Sequence, residues 1–252
     1  MFVFMLVGCI DYGFVEPPLE GNDVIPADTA EEYDPVPVAE APVYANSSDS
    51  LYKVEPDTGA AHFVANFWNE DGAIRNVVDI AIDLDGRMYG GTYDTLYRID
   101  PTNGHVTEIC LSPAEMTALA FTSEGILVAG GDDRITLLNV DNCQAEILLS
   151  NSFWKTSGDL VGLPDGFLYW TVVGENGGDE LVKLDPHTGM TQWIGKIGHS
   201  GLYGLGYDDG ELFGFAASGT IVAISPEKAN SNVLREGGEV SWWGATTNPV
   251  IW

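Results

Sequence analysis

Leu96-Tyr97-Arg98-Ile99-Asp100-Pro101-Thr102-Asn103-Gly104 opens as a short strand and closes as a turn. Its bulky residues suit a pleated, half-buried surface, Pro101 presets φ at the turn, and Gly104 can supply a positive φ. The same grammar returns at 51–59, 135–143, 181–189 and 221–229, with starts separated by 45, 39, 46 and 40 residues. A period of that size marks an array of like structural units. After each turn comes another strand, as in 105–109 and 191–194.

A second motif recurs upstream of each of the last four segments. Ile80-Ala81-Ile82-Asp83-Leu84-Asp85-Gly86 aligns with 119–125, 160–166 and 205–210, and each is followed by an apolar run such as Met88-Tyr89-Gly90-Gly91. Each therefore reads as two strands joined by an acidic glycine turn. The unit is four antiparallel strands in about 42 residues, the size of one propeller blade. Val43-Tyr44-Ala45-Asn46-Ser47-Ser48-Asp49-Ser50-Leu51 matches 88–96 position for position, whereas Val240-Ser241-Trp242-Trp243-Gly244-Ala245 is an innermost strand without a blade of its own. Joining 240–252 to 43–67 completes a fifth blade and removes two exposed sheet edges. The expected fold is all-β: a five-bladed β-propeller of four-stranded antiparallel blades, closed by N- and C-terminal strands that share one blade.

Charge divides the chain of 252 residues differently. It carries 38 Asp and Glu against 10 Lys and Arg, a net −28, which repels nucleic acid and anionic membrane faces. Residues 10–49 hold ten acids, no Lys or Arg and six of the 13 prolines, while the rest keeps 28 acids against all ten bases. Such a stretch buries too little apolar surface to offset the entropy of ordering it. The expected organisation is an N-terminal signal at 1–9, an acidic proline-rich tether at 10–42 and the propeller at 43–252. Two roles suit the acidity of the ring: solubility, or a face that binds cations or amines.

The N-terminus opens on an apolar run ending in Leu6-Val7-Gly8-Cys9, too short to span a bilayer. It resembles the lipobox of bacterial lipoproteins. That resemblance implies cleavage before Cys9, a diacylglyceryl thioether on its sulfur, and attachment to the bacterial cell envelope through this lipid alone. Ile10 stands where many inner-membrane lipoproteins carry Asp, so the expected address is the outer membrane. An extracytoplasmic location makes a disulfide between Cys110 and Cys143 the first thought. The repeat register argues against it: Cys110 ends an outer strand, whereas Cys143 lies in a turn expected at the opposite end of its own blade. Two separate thiols are the stronger expectation.

The repeats at 80–86 and 96–104 resemble the bacterial propeller repeats that include the YVTN, NHL and quinoprotein-like types, over about residues 43–252. The segment Thr95-Leu96-Tyr97-Arg98-Ile99-Asp100-Pro101 also looks like repeats of the five-bladed glutaminyl cyclases, but that family's Asn-Glu-Leu-Glu and Phe-Thr-Gln-Gly-Leu segments are missing. These likenesses imply a fold and no reaction.

The channel mouth is where a propeller ring offers a site. Aligned inner strands place Asp79, Ala118, Asp159, Tyr203 and Trp242 at one level, so two carboxylates and two aromatics would suit a cation or a sugar, unless the acids bind neighbouring backbone amides. Three connections on the same face exceed their counterparts: 68–75 with Trp68 and Arg75, 152–155 with Trp154 and Lys155, and 173–179 with Glu175 and Asn176. His199 also falls near the mouth, without the partners of a catalytic triad. No Cys/His metal spacing, phosphate loop or nucleophile elbow is present. The reading is a monomeric ring that binds a protein or a small neutral or cationic ligand, with no catalysis, cofactor or metal. Its rivals are a cyclase or lyase using Asp79, Asp159 and Tyr203, and a calcium-stabilised structural protein.

Overall fold

The computed structural model describes residues 36–252, so the expected lipobox, Cys9 and most of the tether lie outside the described residues. Five four-stranded antiparallel sheets form the blades, and the blade closed from both ends pairs Gly244–Thr247, Val43–Asn46, Ser50–Glu55 and Ala60–Asn66. Asn46 faces Gly244 in that seam and Val43 faces Thr247. The second blade runs from Asp79–Ile82 to Val106–Leu111, the third from Ala118–Phe121 to Ala145–Leu149, the fourth from Thr156–Gly162 to Thr191–Lys196, and the fifth from Leu202–Asp208 to Ser231–Arg235. A hairpin of two short strands, Trp68–Asn69 and Gly72–Ala73, decorates the connection between the first and second blades. The only helix among the described residues is the 3-10 turn Pro249–Ile251.

The core lies between blades. Inner and second strands are buried throughout or nearly so, as at Ile80, Leu119, Leu127 and Phe215, because each sheet packs a neighbour on both faces. Outer strands such as Ala145–Leu149 are mostly exposed. Residues 36–42 lie along the face opposite the channel mouth, where Ala39 N–H donates to Gly86 O at 2.7 Å and Asn248 Nδ2 to Ala39 O at 3.0 Å.

The turns before the outer strands explain a correction. Gly59, Gly104, Cys143, Gly189 and Ala229 all take a positive φ, between 53° and 74°, and each closes the same turn by donating its N–H to the carbonyl four residues earlier. A side chain at Gly104 would meet Asn66, and one at Gly189 would meet Leu148, so each turn rests on the outer strand of the preceding blade. Cys143 occupies this position in the third blade and reaches Cys110 on the outer strand of the second: the two form a disulfide, with Cα atoms 6.0 Å apart. The expectation of separate thiols failed because opposite ends within one blade become neighbours across two. Twist accumulated over three strand steps swings the outer strand across the inner one.

Candidate functional site

The inner strands carry one level of equivalent positions: Asp79, Ala118, Asp159, Gly204 and Gly244. Pairing establishes the level, since Asp79 faces Gly91, Ala118 faces Gly130 and Gly244 faces Asn46. Gly204, which pairs with Phe215 just after a bulge, stands at the level where Tyr203 was expected, and Gly244, which pairs with Asn46, takes the place expected for Trp242. The level thus holds two carboxyls and three small residues. A Cβ at Gly244 would collide with Asp79, and one at Gly204 would collide with Gly244 and Ala245, so the missing side chains are what let the two acids fill the hub.

Both acids bind backbone, as the alternative reading of the sequence had them. Asp79 Oδ2 accepts from Leu119 N–H in the next blade at 2.6 Å and Oδ1 from Ile80 N–H at 2.8 Å. Asp159 repeats this one blade pair later, with Leu205 N–H at 2.6 Å and Leu160 N–H at 2.6 Å. Asn46 Nδ2 donates to Val77 O at 2.9 Å, and Thr171 Oγ1 to Leu202 O at 3.3 Å, so the hub is a set of polar ties between blades. Asp79 and Asp159 are both fully buried. Burial, together with the neighbouring Asp159 charge, holds Asp79 well above the ordinary carboxylate range, and burial pushes Asp159 up to about 8. Two such groups titrate as a pair. Asn46 Oδ1, buried beside the same hub, has no hydrogen-bond partner.

Above the hub lies a pocket of about 390 Å³. Its floor is made by the first residues of the inner strands and those just before them, Val78, Thr117, Ser157 and Gly158, and its wall by Tyr93, Asp132, Thr156, Tyr203 and Trp243. Aromatics from three blades therefore surround a hydroxyl-lined floor. Tyr203 is 42% exposed, whereas Trp242 is buried between blades, edge-on to Tyr52 and Phe215. Lys155 Nζ donates to Asp132 Oδ1 at 3.0 Å, so its charge reaches the rim. Beneath the pocket, Ser157 Oγ donates to the buried Asp179, whose other oxygen accepts from Leu202 N–H at 2.7 Å. Burial raises the Asp179 carboxyl above its ordinary value. Asp179 was not read from the sequence; its position at the end of the long 173–179 connection was the available signal.

The other candidates lie elsewhere. Trp68 is on the hairpin at the outer rim, its Nε1 donating to Asn103 O at 3.2 Å and its ring edge-on to His105. Arg75 is exposed on that connection. Trp154 and Glu175 share a groove on the fourth blade with Trp193. Asn176 lines a small cleft beside Asp179 and Gly198, while His199 contributes its carbonyl to Asp179 N–H at 2.6 Å. Among the described residues no set of three His, Cys, Asp or Glu side chains converges to hold a metal.

No family model matches the chain, and no curated protein matches it by sequence. Among solved structures, it is similar to a chain of the nidogen/laminin complex, with TM-score 0.54 and 11% identity over 84% of this chain and 99% of that one. It is also similar to a symmetrical protein from work on de novo evolutionary emergence, with TM-score 0.55 and 17% identity over 84% and 100% of the two chains. A gluconolactonase from Xanthomonas campestris matches at TM-score 0.48 and 16% identity, over 78% of this chain and 71% of that one. The first two likenesses bear on the fold alone.

Proposed function

We propose that the ring is a binding module of the bacterial cell envelope, taking a small neutral or cationic ligand at the channel mouth. The observation that carries this reading is the pocket of about 390 Å³ walled by Tyr93, Tyr203 and Trp243 and floored by hydroxyls. Aromatic faces attract cations and the C–H faces of neutral ligands, and the excess of acid over base disfavours anions. Catalysis by Asp79 and Asp159 fits poorly: both are sealed below the floor, and their oxygens are occupied by amides of adjacent blades. A general acid or base must reach the reacting atom.

The test is a thermal-shift screen with choline, spermidine and small neutral sugars. A stabilising compound is expected to lose about tenfold in affinity in Tyr203→Ala and in Trp243→Ala. Undiminished binding in both variants would overturn the mouth as the site.

The envelope address rests on the lipobox at Leu6-Val7-Gly8-Cys9 and gains support from the Cys110–Cys143 disulfide, which suits an oxidising compartment. Lipid on Cys9 would anchor the chain to the envelope. Intact-mass analysis of the exported protein is expected to show an N-terminus at Cys9 carrying diacylglyceryl and acyl groups. An unmodified Cys9 would rule the anchor out.

A further inference from the structure

Two of the long connections, 152–155 and 173–179, meet away from the channel mouth. They border a groove of about 330 Å³ on the outer part of the fourth blade, lined by Phe153, Trp154, Glu175, Glu180, Trp193 and Lys196. Three aromatic rings from two connected blades therefore share one surface with two carboxylates and an ammonium.

The rings are held in place. Phe153 sits in a tight turn entered through Asn151 at φ 53°, and Trp154 N–H donates to Ser152 Oγ at 3.0 Å. This turn holds Phe153 84% exposed, packed edge-on against the half-buried Trp154 with centroids 4.9 Å apart. Trp193 projects from the outer strand Thr191–Lys196 and is 49% exposed, yet its Nε1 donates to Glu180 Oε2 at 2.8 Å. Glu180 is itself nearly buried, so the bond fixes the indole while leaving ring surface in water. Loose exposed aromatics have no such support, and a cluster of them on a soluble ring marks an interaction site.

We propose that this groove binds a neutral polysaccharide, with Trp193 and Phe153 as stacking platforms, Glu175 and Lys196 as hydrogen-bonding partners, and Glu180 holding the Trp193 ring in place. A pyranose presents an apolar C–H face flanked by hydroxyls, which matches fixed rings interleaved with donors and acceptors. An aliphatic peptide would leave the charges of Glu175, Glu180 and Lys196 in contact with apolar surface, which is unfavourable unless each is paired. Two carboxylates against one ammonium, on an acidic ring, likewise disfavour acidic polymers. This site is separate from the channel mouth and does not depend on what binds there.

Affinity electrophoresis of the whole exported protein through gels containing galactomannan, xyloglucan or laminarin tests the proposal. At least one polymer is expected to retard the wild type. Trp193→Ala and Phe153→Ala should each weaken that retardation about fivefold, equivalent to roughly 1 kcal/mol for a lost stacking contact. Tyr203→Ala should leave it unchanged. Both groove residues are exposed, and Phe153→Ala alters only a surface turn, so an unchanged melting curve verifies folding. No retardation of the wild type by any of the three polymers, full retardation of both groove variants, or an equal loss in Tyr203→Ala would each overturn the proposal.

Discussion

Replacing Cys110 and Cys143 together by serine is expected to lower the unfolding free energy by about 3–4 kcal/mol and the melting temperature by about 10 °C. The bridge closes a loop of sequence separation 33, so its loss returns that much chain entropy to the unfolded state. The effect should fall on stability and leave the mouth unchanged, because the bridge ties an outer strand to a turn near the edge of the ring. It strengthens one of five equivalent junctions. The others rely on packing of Gly59, Gly104, Gly189 or Ala229 against a preceding blade. Urea unfolding with and without a reductant measures the difference, and coincident curves would show that the bridge contributes nothing.

The buried acid pair should make stability fall as pH rises. Asp79 and Asp159 hold protons in the folded ring at pH values where an unfolded carboxyl, ordinarily near 4, has released them. The stabilisation is fully present below about pH 4 and is lost progressively as pH rises toward about 8, the value to which Asp159 is raised. A loss on the order of a few kcal/mol across that interval is expected. Asp79→Asn separates this effect from general charge repulsion: it removes one of the two titrating groups, so the slope of stability against pH should fall by half or more, while one of the Ile80 and Leu119 N–H groups loses its acceptor at every pH because Nδ2 only donates. Asp79→Ala is different, because the N–H groups of Ile80 and Leu119 lose their acceptor, at about 1–3 kcal/mol each and at every pH. Urea midpoints between pH 5 and 9 decide the matter. A flat wild-type profile, or an equal slope in Asp79→Asn, would mean that the pair does not share a proton.

The ring was legible because its period is carried by turn residues that a blade cannot do without, from Gly59 to Gly189. Even the seam could be read, since Val43–Leu51 repeats Met88–Leu96 residue by residue. The site was harder, for reasons visible in particular residues. The sequence puts Asp79 and Asp159 at one level, but their use depends on what faces them across the hub, and that required knowing that Gly204 and Gly244 share their level. Tyr203 lies one residue before that level, next to a bulge, and Trp242 two residues before it, so both expected aromatics missed the level by register. Trp243, which actually reaches the mouth, is the neighbour of the residue expected there. Contacts between blades were least legible. The meeting of Cys143 with Cys110 arises from the twist across the blades, which leaves no periodic trace within either strand.

The seam has a consequence for how the molecule is made. Gly244–Thr247, the strand that completes the first blade, follows the other four blades in the chain, whereas Val43–Asn46 precedes them. Until the late strand arrives, the early one presents an uncovered edge able to recruit a strand from another molecule. Closing the circle between ends so distant along the chain is intrinsically slow. The folding ring therefore stays an open arc until that strand docks, and only then is the edge of Val43–Asn46 closed to other copies of the chain.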